Sequence, residues 1–149
     1  MDSADAVRSC LRQYAGFSGR ARRAEYWFFT LFHALAGIAA YAVVLFLTLV
    51  GNVLVSMSGG AGEGVVAVVL IAAVVVLLAG TSLGLLLPSL AVTCRRLHDT
   101  DRSGWWILLS LVPFGALVLL VLTVSDSVPG PNRYGPSPKG VTGSRALAY

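Results

Sequence analysis

Charge is what this chain has least of. Asp, Glu, Lys and Arg together make up 12% of its 149 residues, against roughly 25% in soluble domains. Hydrophobic residues reach 56%, and mean hydropathy is +0.79. Such a balance leaves no room for a large water-facing domain. Cysteine is nearly absent too: Cys10 and Cys94 stand far apart, which excludes a disulfide framework and any metal-type Cys spacing. In a reducing cytoplasm both are expected as free thiols, with Cys94 buried and inert. Recognisable catalytic signatures are missing as well, with no nucleophile elbow, Walker loop, HExxH or multi-aspartate pattern. The net charge of +4 and pI near 9.5 do not imply nucleic acid, because the basic residues flank apolar runs instead of forming a soluble basic face. Anionic lipid head groups are the expected counter-charge.

What the chain does have is three long apolar runs, and a helix needs about 20 apolar residues to cross a membrane. The reading is an all-α integral membrane protein with three transmembrane helices, at about 26–50, 65–93 and 105–124, preceded by a short interfacial amphipathic helix. Residues 1–138 form one membrane domain, and 139–149 a disordered tail. The leading helix is expected over residues 3–15, with Val7, Cys10, Leu11 and Tyr14 on its apolar face. The first apolar run starts near Tyr26 and continues too long for a cleavable signal core, so it is read as a retained span. Tyr26 and Trp27 open it as interfacial anchors, and His33 lies about 10 Å further in at 1.5 Å per residue. An intramembrane histidine is a candidate functional residue, although a neutral imidazole bonded to a neighbouring helix serves structure alone. The second span carries Gly80 and Gly84 in a GxxxG pattern, suited to close packing within the chain or to a homo-oligomer, and Pro88, expected to kink it.

The third run is interrupted by Pro113-Phe114-Gly115. A single kinked crossing is the expectation, because a re-entrant hairpin must hide irregular backbone within protein and only two other helices are available. The alternative is that hairpin, broken at Pro113–Gly115. Basic residues number five before Trp27, none between 51 and 64, three between the second and third runs, and three in the tail. The positive-inside rule then sets the N-terminus in the cytoplasm of a multi-pass plasma (inner) membrane protein.

Between the second and third runs, Arg95-Arg96-Leu97-His98-Asp99-Thr100-Asp101-Arg102-Ser103-Gly104-Trp105-Trp106 gathers five charged side chains within eight residues, with Trp105 and Trp106 as further interfacial anchors. Together with Gly19-Arg20-Ala21-Arg22-Arg23-Ala24-Glu25-Tyr26-Trp27 and Gly130-Pro131-Asn132-Arg133-Tyr134-Gly135-Pro136, it resembles the signatures of the small bacterial inner-membrane proteins grouped as domain of unknown function 805. The resemblance runs over about residues 10–138 in the expected order. It implies a multi-span inner-membrane protein and supplies no activity. Asp101 stands where that family often has glycine, a departure that tightens the turn or adds a carboxylate.

Four roles compete for the charged motifs. Glu25 and Asp99 can serve as ion-pair partners that fix arginines and clamp the ends of the first two spans. Arg20, Arg23, Arg95, Arg96, Arg102 and Arg133 are candidate contacts for a lipid phosphate or a membrane partner, since guanidinium forks bind phosphate bidentately. A lipid-modifying enzyme would need His98 as acid/base with Asp99 and Asp101 on a metal, a thin ligand set. Passage of a small solute or ion would need an oligomer, because one chain offers only His33, Thr48, Thr81, Ser82 and Ser110 along a path. The expectation is a non-enzymatic protein with no cofactor and no metal, whose arginine cluster binds anionic lipid or a partner at the cytoplasmic face.

Overall fold

Two helices much longer than a bilayer's hydrocarbon core is thick dominate the chain. The computed structural model describes residues 2–139, in the order α1 (Ser3–Arg12), α2 (Arg23–Met57), α3 (Glu63–Asp99), a 3-10 helix (Gly104–Leu111) and α4 (Gly115–Val124). No strand occurs among the described residues; an isolated bridge joins Asn132 and Gly135. The expected disordered tail beyond Lys139 lies outside the described residues. Helices α2 and α3, with 35 and 37 residues, overrun the expected spans at both ends. At 1.5 Å per residue each is above 50 Å long, against a hydrocarbon core of about 30 Å. Their apolar windows are only 11% and 0% buried, whereas a soluble core helix hides its apolar side chains. α3 continues through Pro88 without a break.

The chain divides into two compact units, residues 32–86 and residues 1–31 with 87–149. The first holds most of α2, the turn after it and the first part of α3. Gly59, Gly60 and Gly62 make that turn at φ +64°, +85° and +77°, a region glycine enters without a Cβ clash. At Gly51 a Cβ would lie 2.5 Å from Leu70 Cδ1, so glycine lets the two helices approach there. A Cβ built at Gly80 or Gly84 would meet nothing within 4 Å among the described residues, so no close backbone approach there requires glycine. This unit contains no Lys or Arg.

The second unit gathers α1, the first turns of α2, the last turns of α3, the 3-10 helix, α4 and the following segment. Here the expectation of one helix over 105–124 is corrected. The segment is two short helices folded against each other, separated by Val112-Pro113-Phe114, with Phe114 in the left-handed region at φ +63°. Gly115 permits the fold-back: its Cβ would fall 1.7 Å from the Leu109 carbonyl oxygen. The cost that argued against a hairpin, irregular apolar backbone, is reduced locally. Val112 N donates to Leu109 O at 3.0 Å, Gly115 N to Val112 O at 2.9 Å and Leu117 N to Phe114 O at 3.0 Å, and Pro113 has no N–H to satisfy.

Helix α1 ends at Arg12, before the expected boundary at 15; Ala6 and Cys10 are buried, while Leu11 and Tyr14 are exposed. Asp2 caps its N-terminus and Arg12 sits in its last turn, as the helix dipole favours. Its buried side faces a carboxylate and an arginine of the same unit.

Candidate functional site

The last two turns of α3 present Arg95, Arg96 and Asp99 to the interior of the second unit, where all three are buried. Helical spacing brings Arg96 and Asp99, three residues apart, onto one face. Asp99 is the hub. It accepts from Arg20 Nε at 2.9 Å, and also from an Arg96 terminal nitrogen and from Ser127 Oγ. Arg20 spends its remaining donors on the carbonyls of Gly130 and Val128, both at 2.7 Å. Arg96 donates through Nε to Thr123 O at 2.9 Å and through a terminal nitrogen to Ser125 O. These carbonyls belong to the C-terminal end of α4, the negative pole of its dipole, which offsets the second positive charge.

The other pair lies under α1. Arg95 donates to Glu25 Oε1 at 3.2 Å and to Gln13 Oε1 at 2.7 Å. Glu25, in the first turn of α2, also accepts from Ser9 Oγ at 3.1 Å and Cys10 Sγ at 3.7 Å. Burial, reinforced by the neighbouring Glu25, pushes the Cys10 thiol up to about 12, which disfavours its thiolate. Arg95 Nε is the one buried side-chain polar atom without a partner among the described residues.

Beyond Asp99 the chain turns outward. Asp101 adopts φ +57°, which explains why glycine suits the position and shows how aspartate is tolerated there. Its carboxylate meets Arg133 Nε at 3.4 Å and its carbonyl accepts from Arg133 at 2.9 Å. The segment around Arg133 is held to α3 by Asn132 Nδ2 donating to His98 O at 2.8 Å and by Tyr134 stacking on His98 at 3.8 Å between ring centres. His98 Nδ1 lies 3.2 Å from Gly19 O, so its ring is engaged on a face and on an edge. Arg102 is exposed, and its guanidinium sits 5.8 Å from the centre of the Trp106 ring, within cation–π range. Arg23 donates to Ser125 O at 3.0 Å and pairs with Asp126 at 3.2 Å. The half-exposed Lys139, at 2.5 Å, is the first cause of the lowered Asp126 pKa.

The six candidate arginines therefore separate into two groups. Arg20, Arg95 and Arg96 are corrected from phosphate contacts to internal ones: their side chains are 2% exposed or less, and their guanidinium groups face carboxylates and carbonyls. Arg102 and Arg133 remain outside, and Arg23 is half-exposed. Tyr26 and Trp27 contact edge to face at 5.4 Å, while Trp27, Trp105 and Trp106 are exposed. His33 is half-buried on α2 in the other unit. Asp99, Asp101 and His98 form no joint metal site, and no group of three His, Cys, Asp or Glu side chains among the described residues could hold an ion. Sequence reading missed Ser9, Gln13, Asp126, Ser127 and the carbonyls of 123–130. Their local sequence carries no signal, because partners up to 110 residues away give them their roles.

Against known proteins, residues 14–136 match the family model described as protein of unknown function DUF805. The chain is 45% identical over 132 residues to the inner membrane protein YhaI of Escherichia coli K12, covering 88% of this chain and 92% of that protein. It is 42% identical over 135 residues to the inner membrane protein YhaH of the same strain, covering 87% and 92%. No solved structure matches.

Proposed function

This chain belongs to the DUF805 family, and from that premise we propose that it is a non-enzymatic inner-membrane protein whose cytoplasmic-face unit engages anionic lipid head groups. Two helices, α2 and α3, cross the bilayer, while the 3-10 helix and α4 dip into it and return. Support for this topology comes from the two ends of the 105–124 segment. Ser103 lies four residues beyond the end of α3, and Thr123 and Ser125 accept from Arg96 near the end of that same helix. All described Lys and Arg residues lie in the unit of residues 1–31 and 87–149, which by the positive-inside rule is the cytoplasmic side.

The observation that carries the lipid reading is the division of the arginines. Internal contacts consume Arg20, Arg95 and Arg96, while Arg102 and Arg133 stay exposed beside Trp105, Trp106 and Tyr134. Exposed guanidinium next to interfacial aromatics suits a phosphate at head-group depth. Neither a cofactor nor a resident metal is part of this proposal. The test is the lipid retained by the full chain on purification in mild detergent. Arg102→Gln with Arg133→Gln should lower the ratio of phosphatidylglycerol plus cardiolipin to phosphatidylethanolamine, and an unchanged ratio rejects the reading.

A further inference from the structure

The fold-back of residues 104–124 has a length that selects its surroundings. Eight residues of 3-10 helix rise about 16 Å at ~2.0 Å per residue, and the ten of α4 about 15 Å. Both equal half of a ~30 Å hydrocarbon core. Each arm thus reaches the middle of a bilayer and no further. Protein does not cover it: Trp105, Leu111 and Phe114 are 77%, 81% and 81% exposed, and Leu117 and Val121 are exposed as well. Along the 3-10 arm, Trp105, Trp106, Leu108, Leu109 and Val112 border a shallow apolar groove whose upper end is Ser103. Arg102 stands directly before that end. It has no carboxylate partner among the described residues, since the neighbouring Asp101 is taken by Arg133, and its side chain is steadied by the Trp106 ring.

We propose that this hairpin is a one-leaflet wedge seating one anionic phospholipid, the phosphate on Arg102 and an acyl chain along the groove from Trp105 to Val112. The site rests on the anionic-lipid reading above and adds the ligand's orientation, depth and leaflet. A free phosphate would satisfy Arg102 but leave the groove empty. A neutral lipid would fill the groove but leave the guanidinium without a counter-charge.

The experiment uses the full chain carrying Trp27→Phe, so that fluorescence reports Trp105 and Trp106 alone, reconstituted in phosphatidylcholine vesicles. Part of the lipid is replaced by phosphatidylglycerol or phosphatidylcholine brominated on the acyl chains. Brominated phosphatidylglycerol should quench at about fivefold lower mole fraction than brominated phosphatidylcholine, the preference expected of one basic residue at an anionic surface. Arg102→Gln should abolish that preference with quenching intact, Arg102→Lys should keep part of it, and millimolar inorganic phosphate should not remove it. Equal quenching by both lipids in the parent chain overturns the seat. If the retained lipid in detergent still depends on Arg102 and Arg133, the broader head-group reading survives that result. Absence of quenching by either lipid overturns the wedge itself.

Discussion

Replacing Asp99 by Asn tests whether the arginine motif is an internal hub. The substitution keeps the side chain's shape and removes one negative charge from a position with no solvent exposure. In the native chain that charge faces two guanidinium groups, Arg20 and Arg96, with Ser127 donating to the same carboxylate. Removing one partner of a buried pair costs about 3–5 kcal/mol, because the other charge is left uncompensated. With two cations stranded at once, Asp99→Asn should fall at the upper end of that range. The control is Asp101→Asn, two residues along, whose partner Arg133 is 61% exposed; an exposed pair of this kind contributes less than ~1 kcal/mol. Unfolding of the full chain in mixed micelles, followed by tryptophan fluorescence, would compare the two. Hydrogen exchange gives a local readout at the Val128 amide, which donates to the Asp99 carbonyl at 3.0 Å. A loss of ~4 kcal/mol corresponds to roughly a thousandfold faster exchange there, if opening of this unit governs it. Variants that agree within 1 kcal/mol would refute the buried-hub account.

Three further outcomes follow. Gly115→Ala should destabilise the hairpin by at least ~3 kcal/mol in the same micelle titration, since its Cβ would overlap the Leu109 carbonyl at 1.7 Å; near-native stability would mean that the two arms do not approach as described. In a chain with Cys10 and Cys94 changed to Ser, single cysteines at Ser3, Ser103 and Ser137 should react with an impermeant maleimide from one face of oriented vesicles, and opposite labelling of 103 and 137 would establish a third crossing. Native Cys10, its pKa raised from 9.0 to about 12, should alkylate at pH 8 roughly a thousandfold more slowly than a free thiol. Because the folded pKa is the higher one, the stability linked to it is fully present below pH 9 and is lost as pH rises from 9 towards 12; a stability profile rising over that interval would contradict the burial of the thiol.

Much of the helical framework was legible because it rests on local composition. Runs of Val, Leu and Ala without charge define α2 and α3, and three glycines between residues 59 and 62 mark the turn joining them. Glu25 and Asp99 were also readable as arginine partners, since few other carboxylates lie near the apolar boundaries. Which arginines they hold was not, because the Arg20–Asp99 and Arg95–Glu25 contacts join residues 79 and 70 apart. The misjudged third run shows where periodicity loses its power. Trp105 to Val124 has the length of a crossing, and only the conformation of Phe114 and the missing Cβ of Gly115 divide it in two. Pro113 marked the break without deciding between a kink and a reversal. In α1, helical spacing groups Leu11 and Tyr14 with Cys10, but the neighbours that bury Cys10 and not the other two, Glu25 and Arg95, come from distant sequence.

The same geometry accounts for arginine, and not lysine, at the internal positions. Arg96 serves the Thr123 and Ser125 carbonyls and the Asp99 carboxylate from one plane, a fork that a single ammonium cannot reproduce. Two of these acceptors lie at the end of α4 and the third on α3, so the guanidinium joins the end of α4 to α3. Arg20 makes the corresponding connection to Val128 and Gly130. The C-terminal end of the apolar hairpin is thereby held to the end of α3 by polar contacts, while its first arm follows α3 through residues 100–103. The charged motif and the hairpin therefore pack as parts of one unit: the internal arginines hold the end of α4, and the exposed Arg102 stands before the first arm, which is why the proposed lipid seat places its phosphate there.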